Sequence, residues 1–236
     1  VSPTTNTITP PFELVYAEDA EGPCDARLEL ANREGGNGSL DGSLGGVLRA
    51  LPGSDDAFEM FGGTVNLKHL LATGALDDSF DWDQGWSGKG QFWASQQLLT
   101  DGNNGLEGDN NRDNNGLLPR SNPTLYNVTL IGTGRGSATK GQKRYAMTLR
   151  QGTDGKLSNL VAMGFADMGV LITQDSTCAR MSAGGLALAG SFLWDNGRDP
   201  ATNVSNITTV GSVACDVKDW IVSKGNKEED PALRRP

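Results

Sequence analysis

Short runs of alternating apolar and polar residues recur along the chain, separated by segments rich in Gly and Asp. Alternation with a period of two is typical of β-strands, because successive side chains point to opposite faces of a sheet. Five segments share one order: a short alternating strand, a Gly-rich corner, a second alternating strand and then Gly or Asp. These segments are residues 55–74, 77–96, 103–111 with 123–132, 145–164, and 168–174 with 184–197.

This internal repeat predicts the fold. A unit of roughly 20–25 residues with no helical periodicity indicates one coil of a β-solenoid. Leucine-rich repeats have a similar length, but their fixed Leu/Asn pattern is missing here. We therefore expect an all-β, right-handed, single-stranded parallel β-helix of about five recognisable coils over residues 51–200. Residues 1–50 are expected to form an N-terminal cap or irregular segment, and residues 201–236 a C-terminal cap and tail, in which only 216–224 look helical.

The alternation also sorts side chains into an inner and an outer set, because stacked coils bury one face of each strand. The predicted inward residues are Phe58, Met60, Phe80, Trp82, Leu106, Met147, Leu149, Val170 and Ile172. The predicted outward residues are Glu59, Phe61, Asp81, Asp83, Glu107, Asp109, Thr148 and Arg150. Glu59, Asp81 and Glu107 should therefore form a column of like charges on the outer surface.

A second column is predicted at a corner of the coil, where His69, Gln91, Asn127 and Asn159 align. All four side chains can hydrogen-bond along the stack. His69 is the only histidine, so it is a candidate catalytic base. The alternative is a corner residue that stands where other coils have Gln or Asn, and the alignment favours this alternative.

Composition agrees with short strands and tight turns: 36% of residues are hydrophobic and 32 are Gly, which does not suit a helical bundle. The formal net charge of −9 repels phosphate backbones, which argues against nucleic-acid binding, and it can attract cations. No apolar stretch is long enough for a transmembrane helix. The first residues read as a mature or truncated end without a signal peptide.

Three cysteines leave the disulfide pattern open. Cys178 and Cys215 flank one segment and can pair, which would leave Cys24 free or linked elsewhere. No Cys/His cluster is present, so a zinc site is not expected. Asn-x-Ser/Thr triplets begin at Asn37, Asn127, Asn203 and Asn206 and matter only if the host glycosylates.

Acidic residues form the main candidate site. Asp77, Asp78, Asp81, Glu107 and Asp109 should come together on adjacent coils about 4.8 Å apart. Carboxylates at that spacing repel, and a proton or a cation must relieve them. Ca²⁺ accepts such oxygen-rich sites and is the candidate cofactor. The insertion 107–115 supplies further oxygen atoms. The alternative is a solvated acidic face, with Arg112, Arg120 or Arg150 as partners.

A ligand site is predicted beside this face, formed by Trp86, Asp83, Asp109 and Arg150. Trp86 follows a Gly corner, where an exposed ring could stack on a sugar. The alternative is a packed corner aromatic.

Two resemblances bear on function. The segments DDAFEMFGGTVNLKHLLATG, DDSFDWDQGWSGKGQF, GLEGDNN and PRSNPTLYNVTLIG resemble a family of exported bacterial lipoproteins or surface proteins, across residues 55–197. That resemblance implies a β-helix and no known activity. The pair Asp77 and Asp78 looks like the paired aspartates of polygalacturonase-type hydrolases, but no second histidine motif or Arg-x-Lys element follows. A pectate-lyase mechanism would need Ca²⁺ and a basic residue, for which Lys89, Arg112 and Arg150 are candidates.

The function predicted from sequence is a non-catalytic extracellular, cell-surface or periplasmic β-helix module, structural or glycan-binding and stabilised by calcium. Its expected partner is a polysaccharide or another surface or periplasmic protein. The alternative is a polysaccharide lyase or glycoside hydrolase that acts from the acidic face.

Overall fold

A computed structural model describes residues 56–99, 102–134, 144–197 and 215–233 with their side chains, and the backbone alone for 12–15, 28–32, 48–50 and 208–210. Sheet A contains β1 (Phe12–Val15), β2 (Leu28–Asn32), β4 (Phe58–Phe61), β7 (Asp81–Asp83), β9 (Asn104–Gly108), β11 (Tyr145–Leu149), β13 (Met168–Thr173) and β16 (Thr208–Val210). Sheet B contains β3 (Leu48–Ala50), β5 (Leu67–Lys68), β6 (Leu70–Thr73), β8 (Lys89–Gln96), β10 (Thr124–Ile131), β12 (Gly155–Met163), β14 (Leu186–Ala189) and β15 (Phe192–Trp194).

Strand order identifies a parallel β-helix. Along the repeat the chain alternates between the sheets, and the strands within each sheet pair in parallel with those of the neighbouring coils. Only the pair β1 and β2 is antiparallel among the strands described. The predicted all-β class and parallel β-helix are therefore confirmed. The predicted boundaries of the caps at 1–50 and 201–236 stay predictions, because much of both segments lies outside the described residues.

All nine residues predicted to point inward are buried in one core. The Phe58 and Phe80 rings stack with centroids 5.7 Å apart, and Phe80 also lies 4.9 Å from the Trp93 ring. One large side chain faces a glycine on the next coil: Trp82 pairs in register with Gly108, where an added Cβ would lie 2.3 Å from the indole. This interlocking fixes the register of neighbouring coils, since a shift by one residue would turn the core outward.

A corner with left-handed backbone divides the long strands of sheet B. His69, Phe92, Asn127 and Asn159 have φ of 59°, 61°, 58° and 55°. The prediction that Gln91 belongs to this column is wrong, because Gln91 pairs with Tyr126 and the corner residue is Phe92. A left-handed residue interrupts the alternation on which the prediction relied.

Side chains at this corner interact along the helix axis, and the predicted hydrogen bonding along the stack is found between Asn127 and Asn159. The His69 ring stacks on Phe92 with centroids 5.4 Å apart, and the Asn159 amide donates to Asn127 Oδ1. His69 is thus a corner residue, exposed and on a different sheet from the acidic residues.

Two helices occur in the described chain, one within the fifth repeat and one after it. Helix α2 (Val217–Ser223) lies where the tail looks helical, whereas α1 (Asp175–Ser182) was not predicted, because its eight residues carry little apolar periodicity. The predicted disulfide between Cys178 and Cys215 is present and joins α1 to the segment before α2. Within the described chain, neither helix has the length and apolar character needed to cross a membrane. Cys24, Asn37, Asn203 and Asn206 lie outside the described residues.

Candidate cation site on the acidic face

The outer face of sheet A places carboxylates in register on three strands. Glu59 of β4 pairs with Asp81 of β7, and Asp81 pairs with Glu107 of β9. The predicted column is therefore confirmed. Asp83 lies two residues after Asp81, and Asp109 lies two residues after Glu107, just past the end of β9. Both were predicted to point outward, and this spacing places them on the same face.

A second column lies at the corner before these strands. The backbone N–H of Asp78 donates to Asp56 Oδ1 at 2.8 Å, and that of Asn104 donates to Asp78 Oδ1 at 2.6 Å. The Asn104 amide then donates to Glu107 Oε1 at 2.9 Å, and its Oδ1 accepts from Thr148 Oγ1 at 2.8 Å. Each side chain at the corner thus holds the next coil in place.

Together these columns form the acidic cluster, which consists of Asp56, Glu59, Asp77, Asp78, Asp81 and Glu107. Three sets within it each offer oxygen atoms within 4.8 Å of one another: Asp56 with Glu59 and Asp81, Asp56 with Asp77 and Asp78, and Asp78 with Asp81 and Glu107. The last set is buried, with Asp78, Asp81 and Glu107 exposed by only 2%, 8% and 6%. The alternative of a solvated acidic face is therefore wrong for these three residues.

Asp81 differs from its neighbours in its hydrogen bonding. Its Oδ1 is buried and accepts no hydrogen bond from any residue in the described part of the chain. An unsatisfied buried carboxylate oxygen costs at least about 1–3 kcal/mol. Asp81 also belongs to two of the three sets, so the residue with this oxygen lies within a group of carboxylates that suits an oxygen-preferring cation.

Burial shapes the ionisation of the cluster. Burial first, and then the nearby carboxylates, raise the pKa of Asp78 and of Asp81 well above the usual range. Burial raises the pKa of Glu107 to about 7, although Arg150 acts to lower it. Without a compensating cation, the folded protein therefore retains protons on part of the cluster near neutral pH.

Arg150 neutralises the other end of the face. Its Nε donates to both carboxylate oxygens of Asp109 at 2.9 Å, and its Nη2 forms an ion pair with Glu107. Burial raises the pKa of Asp109 to about 6 and that of half-buried Asp83 above its usual range, with Arg150 acting in the opposite direction in both cases. The prediction of Arg150 as a carboxylate partner is confirmed.

Most of the chain matches one protein-family model. Residues 42–224 match the model described as a pectate-lyase-like beta helix domain. The chain belongs to the pectate-lyase-like β-helix family. No curated protein and no solved structure gives a significant match.

Within this β-helix, the predicted site residues separate into two groups. Asp78, Asp81 and Glu107 come together, Asp77 shares a set with Asp56 and Asp78, and Asp109 pairs with Arg150. Asp83 lies beside Asp109 and Arg150, so three of the four predicted ligand-binding residues share one place.

Trp86 does not join them. Its ring is fully buried between Trp82 and Trp93, and its Nε1 donates to the Val65 carbonyl at 3.2 Å. The hypothesis of an exposed ring that stacks on a sugar is therefore wrong, and the packed alternative is correct. The physical reason is that packing between two other indoles buries the apolar ring while its Nε1–H still finds an acceptor.

The other basic and oxygen-rich candidates are not part of the cluster. Arg120 donates to backbone carbonyls of Asn115 and Gly152, and Arg112 is exposed. In the insertion, Asn111 Oδ1 accepts from the backbone N–H of Asp113 and Asn114, so it closes its own turn.

Sequence reasoning missed Asn104 as a member of the site. A signal was present, since Asn103-Asn104 stands where two earlier segments carry Asp55-Asp56 and Asp77-Asp78. The substitution of an amide for a carboxylate at this position supplies a donor to Glu107 and avoids another charge.

Proposed function

We propose that this chain is a non-catalytic β-helix module of an exported or surface protein, in which the acidic cluster binds a divalent cation that ties adjacent coils together. The observation that carries the proposal is the buried, unsatisfied Asp81 Oδ1 beside Asp78 and Glu107, stated for the described residues. The disulfide between Cys178 and Cys215 supports an oxidising compartment outside the cytosol.

A hard cation such as calcium suits these ligands better than zinc. All the candidate ligands are carboxylate oxygens, which hard cations prefer, and the described chain brings no cysteine or histidine to the cluster. Asp78, Asp81 and Glu107 would hold the ion, and Asp56, Glu59 and Asp77 would add negative charge around it. Burial and the neighbouring carboxylates raise the pKa values of Asp78 and Asp81 because they disfavour the ionised form. A bound cation would offset this cost.

Two features favour a structural role over catalysis. Asp81 and Glu107 have little exposed surface, so a polysaccharide chain has little access to them. Arg150 is held by Asp109 and Glu107, and these contacts raise its pKa even though burial alone would lower it. An arginine that is held in this way is a poor proton acceptor.

A lyase or glycoside hydrolase is the second candidate, and one observation favours it. Glu107 and Asp109, with pKa values of about 7 and about 6, lie together beside Arg150, and a carboxylic acid with a pKa near neutrality can act as a general acid. The description of the matched family also names pectate lyase. Incubation with polygalacturonate, alginate and neutral glycans would decide: new reducing ends or unsaturated uronates would contradict the non-catalytic proposal.

Melting curves of three proteins test whether the acidic cluster binds calcium. Wild type, Asp81→Asn and the exposed control Asp113→Asn should be compared in calcium and in chelator. At a free calcium concentration a hundred times the dissociation constant, wild type and the control should gain about 2.7 kcal/mol. Asp81→Asn should lose this gain because it removes a ligand. In chelator it should be neutral or stabilising because it removes repulsion.

One result would contradict the proposal: wild type ignores calcium, and Asp81→Asn is clearly destabilised in chelator. Asp81 would then be a hydrogen-bonded structural carboxylate and not a ligand.

The finer description of the fold is part of the proposal. We expect right-handed winding with about five recognisable coils, because parallel connections between strands of one sheet are right-handed in nearly all known proteins. The exported lipoprotein or surface-protein setting rests on the resemblance of residues 55–197 and on the disulfide.

A further inference from the structure

One connection between the two sheets is much longer than its neighbours. Residues 109–123 connect β9 to β10, whereas residues 84–88 and 150–154 make the same connection in the coils on either side. The additional residues form a loop on the outside of the β-helix, and residues 111–118 are called the leucine loop below.

Asparagine side chains hold the leucine loop in one shape. The Asn110 amide donates to the carbonyls of Asn115 and Leu117 at 3.2 and 3.1 Å, and the Asn115 amide donates to the Asn111 carbonyl at 2.9 Å. Asn115 Oδ1 accepts from Ser176 Oγ of α1 at 2.9 Å, which ties the loop to that helix. A partner that binds the loop therefore has little conformational entropy left to remove.

The loop presents two consecutive leucines to solvent. Leu117 is 45% exposed, and Leu118, at 73%, is the most exposed large apolar residue in the described chain. A single exposed leucine is ordinary on a protein surface. Two adjacent leucines on a rigid loop instead indicate a contact that covers them.

An open cavity of about 680 Å³ lies beside helices α1 and α2. Its apolar wall is formed by Ala179 and Met181 of α1, Trp220 of α2, and the disulfide between Cys178 and Cys215. The volume lies within the range of pockets that bind small molecules, so two leucine side chains can enter it. Leu117 and Leu118 of the same chain are not part of its wall.

Charges around the cavity complement those of the leucine loop. Asp175, Asp216 and Lys224 also line the cavity, and the loop carries Arg112 and Asp113, both exposed. Arg112 can face an aspartate and Asp113 can face Lys224 when the leucines enter. Such surface pairs add little affinity, but they favour one orientation of the partner.

The loop and the cavity adjoin the same helix. Ser176, in the first turn of α1, contacts the loop, and Ala179 of α1 lines the cavity. Neighbouring sites of this kind suit a two-fold arrangement, in which the loop of each copy meets the cavity of the other and the contact forms twice.

We propose that a second copy of this chain covers the leucine loop: in a two-fold dimer, Leu117 and Leu118 of each copy insert into the cavity beside α1 and α2 of the other. Burial of four leucine side chains drives the association. The proposal goes beyond the proposed function and does not rest on it, because the acidic cluster takes no part in the contact.

Sedimentation equilibrium of the full chain in chelator tests the dimer. Wild type should dimerise with a dissociation constant in the micromolar range or below. Leu117→Ser with Leu118→Ser should weaken the dimer at least about tenfold, because the buried apolar contact is lost. Ala179→Arg should have the same effect, since Ala179 is exposed and a long charged side chain would occupy the cavity.

The matched control removes two leucines elsewhere. Leu76 and Leu99, which are 41% and 66% exposed, lie at corners that follow strands of sheet B. Leu76→Ser with Leu99→Ser should leave dimerisation unchanged. Circular dichroism and the melting temperature establish that each variant is folded before its association is measured.

Cross-linking locates the contact. Leu118 is replaced by the photoreactive residue benzoylphenylalanine, and ordinary and heavy-isotope chains are mixed before irradiation. Cross-linked peptides should join the two isotopes and connect the loop to residues 175–184 or 215–224. The proposal would be overturned by a monomer at every concentration, by loop variants that dimerise like the control, or by cross-links that form only within one copy or to other surfaces. None of these results bears on calcium stabilisation, because every measurement is made in chelator.

Discussion

The outer faces of sheet A and sheet B come from the same repeating coil, yet they treat charge in opposite ways. On sheet A, acidic residues in register are buried, and Asp81 has an oxygen without a hydrogen-bond partner in the described chain. On sheet B, Lys68 and Lys89 stand exposed beside Tyr126. The difference shows that stacking repeats the environment of a coil position from strand to strand. Carboxylates that are buried in register need a compensating charge or proton, whereas exposed charges stay hydrated and need none.

The largest effect is expected in the core that both faces share. Phe80→Ala should cost about 3–5 kcal/mol, because the ring stacks between Phe58 and Trp93 and rigid coils cannot close the cavity. The matched change Phe92→Ala on sheet B should cost about 1 kcal/mol or less, since that ring is 47% exposed. Chemical denaturation measures both. Equal losses would mean that the inner and outer sides have been assigned wrongly.

A smaller effect is expected from removing one positive charge on each face. Arg150→Gln leaves Glu107 and Asp109 buried without their partner, which should cost about 1–3 kcal/mol, less than a fully buried pair because Arg150 is 38% exposed. Lys89→Gln should change stability by under about 0.5 kcal/mol. Urea unfolding measures both. Equal losses in the free energy of unfolding would contradict the conclusion that only the charge on sheet A has buried partners.

A dependence on pH is also expected, and it comes from the acidic face. In chelator, the folded pKa of Glu107 lies at about 7 and that of Asp109 at about 6, above their ordinary values of 4.5 and 3.8. A carboxyl whose pKa is raised by folding stabilises fully below its ordinary pKa and loses that contribution as the pH rises through the folded value.

The melting temperature in chelator should therefore fall as the pH increases from about 4 to about 7. Saturating calcium should reduce this fall, because the ion compensates the ionised carboxylates. A melting temperature that rises over this interval in chelator would show that the carboxylates are stabilised in the ionised form, contrary to the account.

Much of the fold follows from period-two alternation, because inner and outer sides are a property of each strand. Phe80 and Trp82 point inward, and Glu59, Asp81 and Glu107 form a column, as predicted. Alternation fails at left-handed corners, which is why Gln91 was assigned a position that Phe92 occupies.

Burial of the acidic site could not be derived in the same way. Strand period says that Asp81 points away from the core, but the exposure of an outer side chain depends on what other segments cover it. The pairing of Arg150 with Asp109 is likewise a contact between distant parts of the chain, and the sequence offered Arg112 and Arg120 on equal terms. Trp86 was ambiguous because a Gly corner permits either direction.

Anomalous diffraction from crystals grown with calcium and then exchanged into manganese tests the central claim most directly. The account predicts an anomalous peak between Asp78, Asp81 and Glu107, with the Asp81 Oδ1 atom as a direct ligand and, in calcium, at about 2.3–2.6 Å from the ion. A cluster with no anomalous peak, in which Asp81 Oδ1 accepts an ordinary hydrogen bond from water or protein, would contradict it.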